Sequence, residues 1–233
     1  MTSGAKPIVV AVDGPAGSGK SSICSQAASK LGWTYLSTGI LYRAVGVISQ
    51  QRNIAAGDES GIGRVVEELC LFLEWKADQG MVLFRGEDIT PTLNSAEAGN
   101  LASKLAKLPL VRQKLLPLQR KMILSASKGV IADGRDIGTV VFPDADLKIF
   151  MTASIEERAR RRMRQLSQSP GNHILDLEQV KLDIILRDRQ DEQRGEAPLR
   201  KADDAIEFDN SSHSIQEAVS ELVRLIQTHL KLT

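Results

Sequence analysis

Short β-branched runs alternate along the chain with stretches whose apolar residues recur every three or four positions. Residues 8–12 (IVVAV) read as a buried central strand, since a parallel strand covered on both faces shows a continuous apolar run rather than alternation. A helix is expected over 19–31, stopped by Gly32, followed by a strand at 34–36. A second helix starts near Gly39 and carries Leu41, Ala44, Val45 and Ile48 on one side. The texture changes at 71–90, where LFLEWKADQGMVLFRGEDI predicts two or three antiparallel strands joined by Asp78-Gln79-Gly80 and by Gly86. Helices are expected at 94–107 and 109–127, the second kinked by Pro117. Strands follow at 130–132, ending on Asp133, and at 147–151; Ser154-Ile-Glu-Glu157 has the pattern of a capping box opening an arginine-rich helix. A polar loop at 167–172 leads to a helix at 176–194, a strand at 205–208 and a last helix with apolar Ile215, Val219, Leu222, Val223, Ile226 and Leu230. This alternation predicts an α/β fold, a parallel sheet flanked by helices, interrupted by a hairpin-bearing insertion.

The bulk composition narrows the partners. The chain has 233 residues, 42% of them apolar, and a net charge of +1, so no global charge draws it to nucleic acid or to a membrane surface. No apolar run approaches the roughly 20 residues of a membrane-spanning helix. The N-terminal apolar stretch runs straight into a glycine-rich turn, which marks a strand rather than a signal peptide. Cys24 and Cys70 lack metal-ligand spacing and are expected as buried thiols of a cytoplasmic protein.

Residues 14–22 read GPAGSGKSS, and Gly14, Gly19, Lys20 and Ser21 match G-x-x-x-x-G-K-[ST]. In this loop, which runs through Pro15, Ala16, Gly17 and Ser18, successive backbone N–H groups must point inward at phosphate oxygens. Such a loop needs conformations that glycine adopts cheaply. The following helix, opening on Lys20, Ser21 and Ser22, presents the positive end of its dipole. Lys20 supplies a point charge to the outer phosphates of ATP, and the Ser21 hydroxyl is a ligand for Mg2+. Asp133, at the end of a buried strand, is the candidate carboxylate beside that metal.

A phosphoryl transferase must also hold a second anion, and positioning with charge neutralisation carries most of its catalysis. Arg43, Arg112, Arg135, Arg187 and Arg194 are the candidates. Arg135 lies just past a buried strand, where open α/β sheets bind ligands. Arg187, Asp191 and Arg194 are spaced to share one helical face. The cluster Arg158, Arg160, Arg161, Arg162 and Arg164 fits either a nucleic-acid-binding face or a lid closing over the triphosphate, and the near-neutral charge favours the lid. A nucleotide-dependent switch protein, which needs no acceptor site, is the competing class.

These segments together resemble the bacterial cytidylate kinases, a family of P-loop nucleoside monophosphate kinases. The carriers are VDGPAGSGKSS at 12–22, LSTGILYRAV at 36–45, PLVRQKLL at 109–116, the long run at 132–162 that opens ADGRDIGTVVFPDA, RDRQDEQRGEAPL at 187–199 and DNSSHSI at 209–215. The resemblance implies one P-loop kinase domain over 1–233 with a five-stranded parallel sheet. It also implies an acceptor-binding lobe at about 40–107 containing a small antiparallel sheet, and an arginine-rich lid at about 157–187. It implies transfer of the ATP γ-phosphate to CMP or dCMP by a monomer, with another monophosphate kinase as the runner-up. Carried over by position, Arg43, Arg135 and Arg194 grip the acceptor phosphate, with Thr38 and Tyr42 beside it. Arg187 and Asp191 meet the sugar, and Ser103, Arg112 and Asp136 read the base. Lys20, Arg158 and Arg162 join Arg135 and Arg194 as the catalytic cations. Asp136 suits the amino group of cytosine, whereas uracil offers an oxygen there. Two positions depart from the family pattern: Ser37 replaces the usual aspartate before Thr-Gly, and Ser22 the usual threonine.

Overall fold

Five of the six residues of the first strand, β1 (Ile8–Asp13), are buried, because this strand lies at the centre of a sheet with a parallel neighbour on each side. The computed structural model describes residues 6–76, 81–167 and 176–232. After β1 come α1 (Lys20–Leu31), β2 (Thr34–Ser37), α2 (Gly39–Gln51) and α3 (Glu59–Phe72). Three short strands, β3 (Leu73–Lys76), β4 (Met81–Phe84) and β5 (Glu87–Asp88), precede α4 (Thr90–Leu93), α5 (Ala96–Leu105) and α6 (Pro109–Leu124). The chain continues with β6 (Gly129–Gly134), a π-helical turn (Ile137–Val141), β7 (Leu147–Thr152), α7 (Ile155–Ser167), α8 (Leu177–Glu192), β8 (Ile206–Asp209) and α9 (Ile215–Leu230). Contacts divide it into two units, Met1–Tyr35 with Ser127–Thr233, and Leu36–Ala126.

The first unit is built on the five-stranded parallel sheet, in the order β2-β6-β1-β7-β8. Val10, Val12, Ile131, Ile149 and Met151 pack against Ile23, Cys24 and Ala27 of α1 and against Ala218, Val219, Leu222 and Ile226 of α9. α1 stops where expected: Gly32 takes a left-handed φ of 64°, and Trp33 N–H turns back to Ala28 O at 2.9 Å. α9 opens on a complete capping box between Ser214 and Glu217. Ile215, expected on the buried face of α9, is 50% exposed; it starts the helix, with no preceding turn for its side chain to lie over. The capping box expected at α7 is only half made. Glu157 N–H donates to Ser154 Oγ, but Ser154 N–H donates to Ser211 Oγ at 2.7 Å, and the Glu157 carboxylate pairs with Arg160 and Arg161. Most of the loop at 167–172 and part of the span expected as a lid lie outside the described residues.

In the second unit α2 packs on α5 and α3, and α3 on α6. Gly46 permits the α2–α5 approach: a Cβ there would sit 2.6 Å from the Leu101 Cβ. The expected antiparallel group is a three-stranded sheet, β3-β4-β5. Its second turn is Arg85-Gly86, both at positive φ, while Asp78-Gln79-Gly80 lies outside the described residues. Leu71 and Phe72, expected to begin the first strand, instead finish α3. That helix is capped by Asp58, which accepts Gly61 N–H at 2.8 Å, and it buries Ile62, Val65, Val66 and Leu69 at helical spacing. The helix expected at 94–107 starts later, at Ala96, under a Ser95 cap, and α6 ends at Leu124 with Pro117 inside it. Cys24 is buried and free; Cys70, expected buried, is only partly covered, because it closes the end of α3 beside Lys114 O.

Candidate active site

The phosphate-loop sequence connects β1 directly to α1. Gly14 is required by close approach, since a Cβ there would lie 2.0 Å from Met151 O of β7. Gly19 takes a left-handed φ of 85° at the entrance to α1. Lys20 is buried, and its Nζ donates to Gly14 O and Pro15 O, each at 2.7 Å, and to Ser18 Oγ at 3.0 Å. Burial pushes its pKa down to about 7, and the charge of Arg135 adds to the effect. Asp13, also buried, is pushed up to about 6 by burial, against the pull of the Gly138 and Ile137 N–H groups that it accepts at 2.8 Å each.

Ser21 Oγ donates to Asp133 Oδ2 at 2.9 Å, so the two expected metal-side residues are neighbours. The other Asp133 oxygen accepts the Tyr35 hydroxyl at 3.1 Å. A hydroxyl and a carboxylate are hard oxygen donors, and a pair of them beside a phosphate loop fits magnesium, which keeps several waters and shares phosphate oxygens. Among the described residues no group of three or more His, Cys, Asp or Glu side chains gathers as a metal cage.

The arginine-rich helix sorts itself by face. Arg158 donates to Ala16 O at 3.1 Å and to Ala153 O at 3.0 Å, and it pairs with Asp188. Arg161 donates to Ser18 O at 3.3 Å and to Asn210. Arg162, one of the expected catalytic cations, contacts Gln165 at 3.5 Å, and Arg160 stays on the exposed side with Glu157. Two of these arginines thus reach phosphate-loop carbonyls.

Farther along the first unit, Asp191 gathers two expected acceptor-side arginines. Arg135 Nε donates to its Oδ2 at 3.0 Å, and Arg194 lies 3.9 Å from its Oδ1 while donating to its carbonyl at 3.2 Å. Arg194 does not share a helical face with Arg187 and Asp191 as the spacing suggests. α8 ends at Glu192 and is capped by Gln193, so Arg194 meets Asp191 from beyond the cap. Arg187 is part-buried on α8. Asp136 is buried at the head of the π-helical turn, where its carbonyl accepts Val140 and Val141 N–H.

The second unit holds the remaining candidates. Arg112 is buried with its guanidinium 5.7 Å from the Tyr42 ring centroid, and Gln119 donates to the Tyr42 hydroxyl at 3.3 Å. Arg43 donates to Leu93 O at 2.7 Å, close to Gly99 at the start of α5. Thr38 is buried at the N-cap of α2, and Ser103 is part-exposed on α5.

Sequence reasoning missed Asp13, Asp188, Asn210 and Gln119, and it placed Arg161 only within the candidate lid. For Asp188 a signal existed. Val180, Ile184, Asp188 and Asp191 are the buried residues of α8, spaced four, four and three apart, so both aspartates continue the apolar stripe.

Comparisons with known proteins identify the family. The family model described as cytidylate kinase matches residues 10–228. The cytidylate kinase of Carboxydothermus hydrogenoformans is 44% identical over 218 residues, which cover 93% of this chain and 96% of that protein. That of an Exiguobacterium species is also 44% identical, covering 95% and 97%. Among solved structures, an uncharacterized protein from Eubacterium ventriosum aligns with a TM-score of 0.51 at 12% identity, over 96% of this chain and 99% of its own, a likeness of fold alone. With its P-loop kinase fold and a family match running from the first strand to the last helix, the chain belongs to the cytidylate kinase family.

Proposed function

We propose that the protein transfers the γ-phosphate of ATP to CMP or dCMP, giving ADP and CDP or dCDP. The family match across residues 10–228 carries this reading, and the phosphate loop after β1 supplies the donor chemistry. Residues 14–22 cradle the ATP phosphates, and on binding Lys20 exchanges the loop carbonyls it now contacts for phosphate oxygens. Ser21 and Asp133 hold magnesium, which when bound neutralises charge on the phosphate oxygens. Arg158 and Arg162 add positive charge from α7. No side chain need take the proton early, because transfer of this kind runs chiefly on alignment and electrostatic stabilisation.

On the acceptor side, Arg43, Arg135 and Arg194 bind the monophosphate, with Thr38 and Tyr42 contributing. Arg187 and Asp191 bind the sugar. The Asp191 carboxylate has lone pairs left for a hydroxyl after meeting Arg135 and Arg194. Ser103, Arg112 and Asp136 select cytosine, with Asp136 accepting its amino group and Arg112 donating to its ring acceptors. The same reading takes the protein as a cytoplasmic monomer without nucleic-acid partners. Both cysteines are free, and no helix among the described residues is long and apolar enough to cross a membrane.

The test is ADP formation from magnesium-ATP with CMP, dCMP, UMP and AMP offered separately. CMP and dCMP are expected to be the preferred acceptors, and Asp136→Asn to narrow their lead over UMP. ATP turnover that ignores every acceptor would mark a slow hydrolase or switch and end the reading.

A further inference from the structure

The segment DNSSHSI at 209–215 has no part in the roles above, yet it closes on the phosphate loop. Asn210 follows β8 and is fully buried. Its Nδ2 donates to Ser18 O at 2.9 Å, and its backbone N–H donates to Thr152 O at 3.0 Å, which pins it to the end of β7. Its side-chain and backbone oxygens accept the two terminal nitrogens of Arg161. Arg161, steadied by Glu157 at 3.0 Å, also donates to Ser18 O at 3.3 Å. The Ser18 carbonyl therefore has two donors in a site with no solvent exposure at Ser18 or Asn210.

A trans peptide is planar, with its C=O and N–H on opposite sides. Holding the Ser18 carbonyl against Asn210 and Arg161 turns the Gly19 N–H the other way. In a loop that works by aiming amides at an anion, the direction of each peptide plane sets the strength of the site. Gly19, at a φ of 85°, has no side chain to resist a flip of that plane, so the restraint must come from outside the loop.

We propose that Asn210 is a positioning residue for ATP, fixing the Ser18–Gly19 peptide so that its amide faces the phosphate chain. The inference rests on the ATP-binding role of the loop given above. It requires that Asn210 act on the phosphates through the loop, not on the nucleoside and not on the acceptor.

The experiment is isothermal titration of wild type, Asn210→Asp and Asn210→Ala with ATP, with inorganic tripolyphosphate and with CMP. The aspartate variant keeps an acceptor for Arg161 but sets a carboxylate oxygen against the Ser18 carbonyl. The alanine variant removes the donor without adding charge, and serves if the first does not fold; circular dichroism at the titration temperature checks each. The Kd values of ATP and tripolyphosphate are expected to rise together by about tenfold, equivalent to about 1.4 kcal/mol, with that of CMP unchanged. Unchanged ATP affinity in a folded variant overturns the proposal. So does a loss for ATP without one for tripolyphosphate, which would mean a nucleoside contact, or an equal loss for CMP, which would mean a general loosening. Failure of the wild type to bind ATP or tripolyphosphate instead overturns the reading of the loop.

Discussion

Removing the Asp188 carboxylate takes away an acceptor shared by the phosphate loop and the arginine-rich helix. One oxygen accepts Ala16 N–H at 3.0 Å; the other pairs with Arg158, the two side chains being 11% and 12% exposed. Deleting one partner of a fully buried ion pair costs about 3–5 kcal/mol, because the other charge is left without compensation. Arg158 keeps Ala153 O and Ala16 O as acceptors, which brings its share to about 2–3 kcal/mol. The stranded Ala16 amide adds about 1 kcal/mol. For Asp188→Ala the expected loss is therefore about 3–4 kcal/mol. In a chain of 233 residues, each kcal/mol lowers Tm by roughly 2–4 °C, so the fall should be about 10 °C by scanning calorimetry. Asp188→Asn keeps an acceptor for Ala16 and should lose about half as much. Arg158→Ala and the double variant complete a cycle whose coupling energy should be about 1.5–3 kcal/mol. A Tm for Asp188→Ala within a degree of wild type, or strictly additive effects in the cycle, would refute this account of the contact.

Three other outcomes follow from the geometry. Asp133→Ala should leave Ser21 and Tyr35 without their shared acceptor and lower kcat by about 10–100-fold with a raised magnesium requirement; an unaltered magnesium titration counts against the metal role. Lys20, held down to about 7 from its ordinary 10.5, loses its charge as pH rises through 7, so ATP should bind more weakly at pH 9 than at pH 6, with proton uptake in calorimetry near pH 8; a flat Kd over that range contradicts it. For stability the sign is opposite to that of an ordinary ion pair: between about 7 and 10.5 the unfolded chain binds the extra proton, so this group's contribution grows as pH rises. Gly46→Val should place a Cβ against Leu101 and destabilise by about 1–3 kcal/mol in urea unfolding, and unchanged stability would mean that α2 and α5 separate freely.

The sheet and most helices were legible because their signals are local. The apolar run before Gly14, the glycine after Leu31 and the turn glycine Gly86 each act within a few positions. α3 as a whole was not, and its end read as strand because LFLEW is as apolar as one; what keeps Leu71 and Phe72 helical is a cap at Asp58, thirteen residues before Leu71, and a buried stripe in between. The capping box at Ser154 failed for a related reason: Ser211, 57 residues away, competes for the same N–H. Among functional candidates, the contiguous motif at 14–22 was legible as a phosphate-loop pattern, and Ser21 proved adjacent to Asp133. Asp188 and Asn210 escaped notice because their value lies in one partner each on the phosphate loop, at separations of 172 and 192 residues. Only the helical stripe of α8 betrayed one of them.

That stripe has a mechanical consequence. Asp188 and Asp191 stand about one turn apart on α8, the first tied to the loop after β1 and the second to the arginine just after β6. A rigid rod pinned at two such points cannot release one without straining the other. Any swivel of the last turn of α8 must tug Ala16 and Arg135 in the same stroke, so the helix works as a tie-bar between the two strand ends.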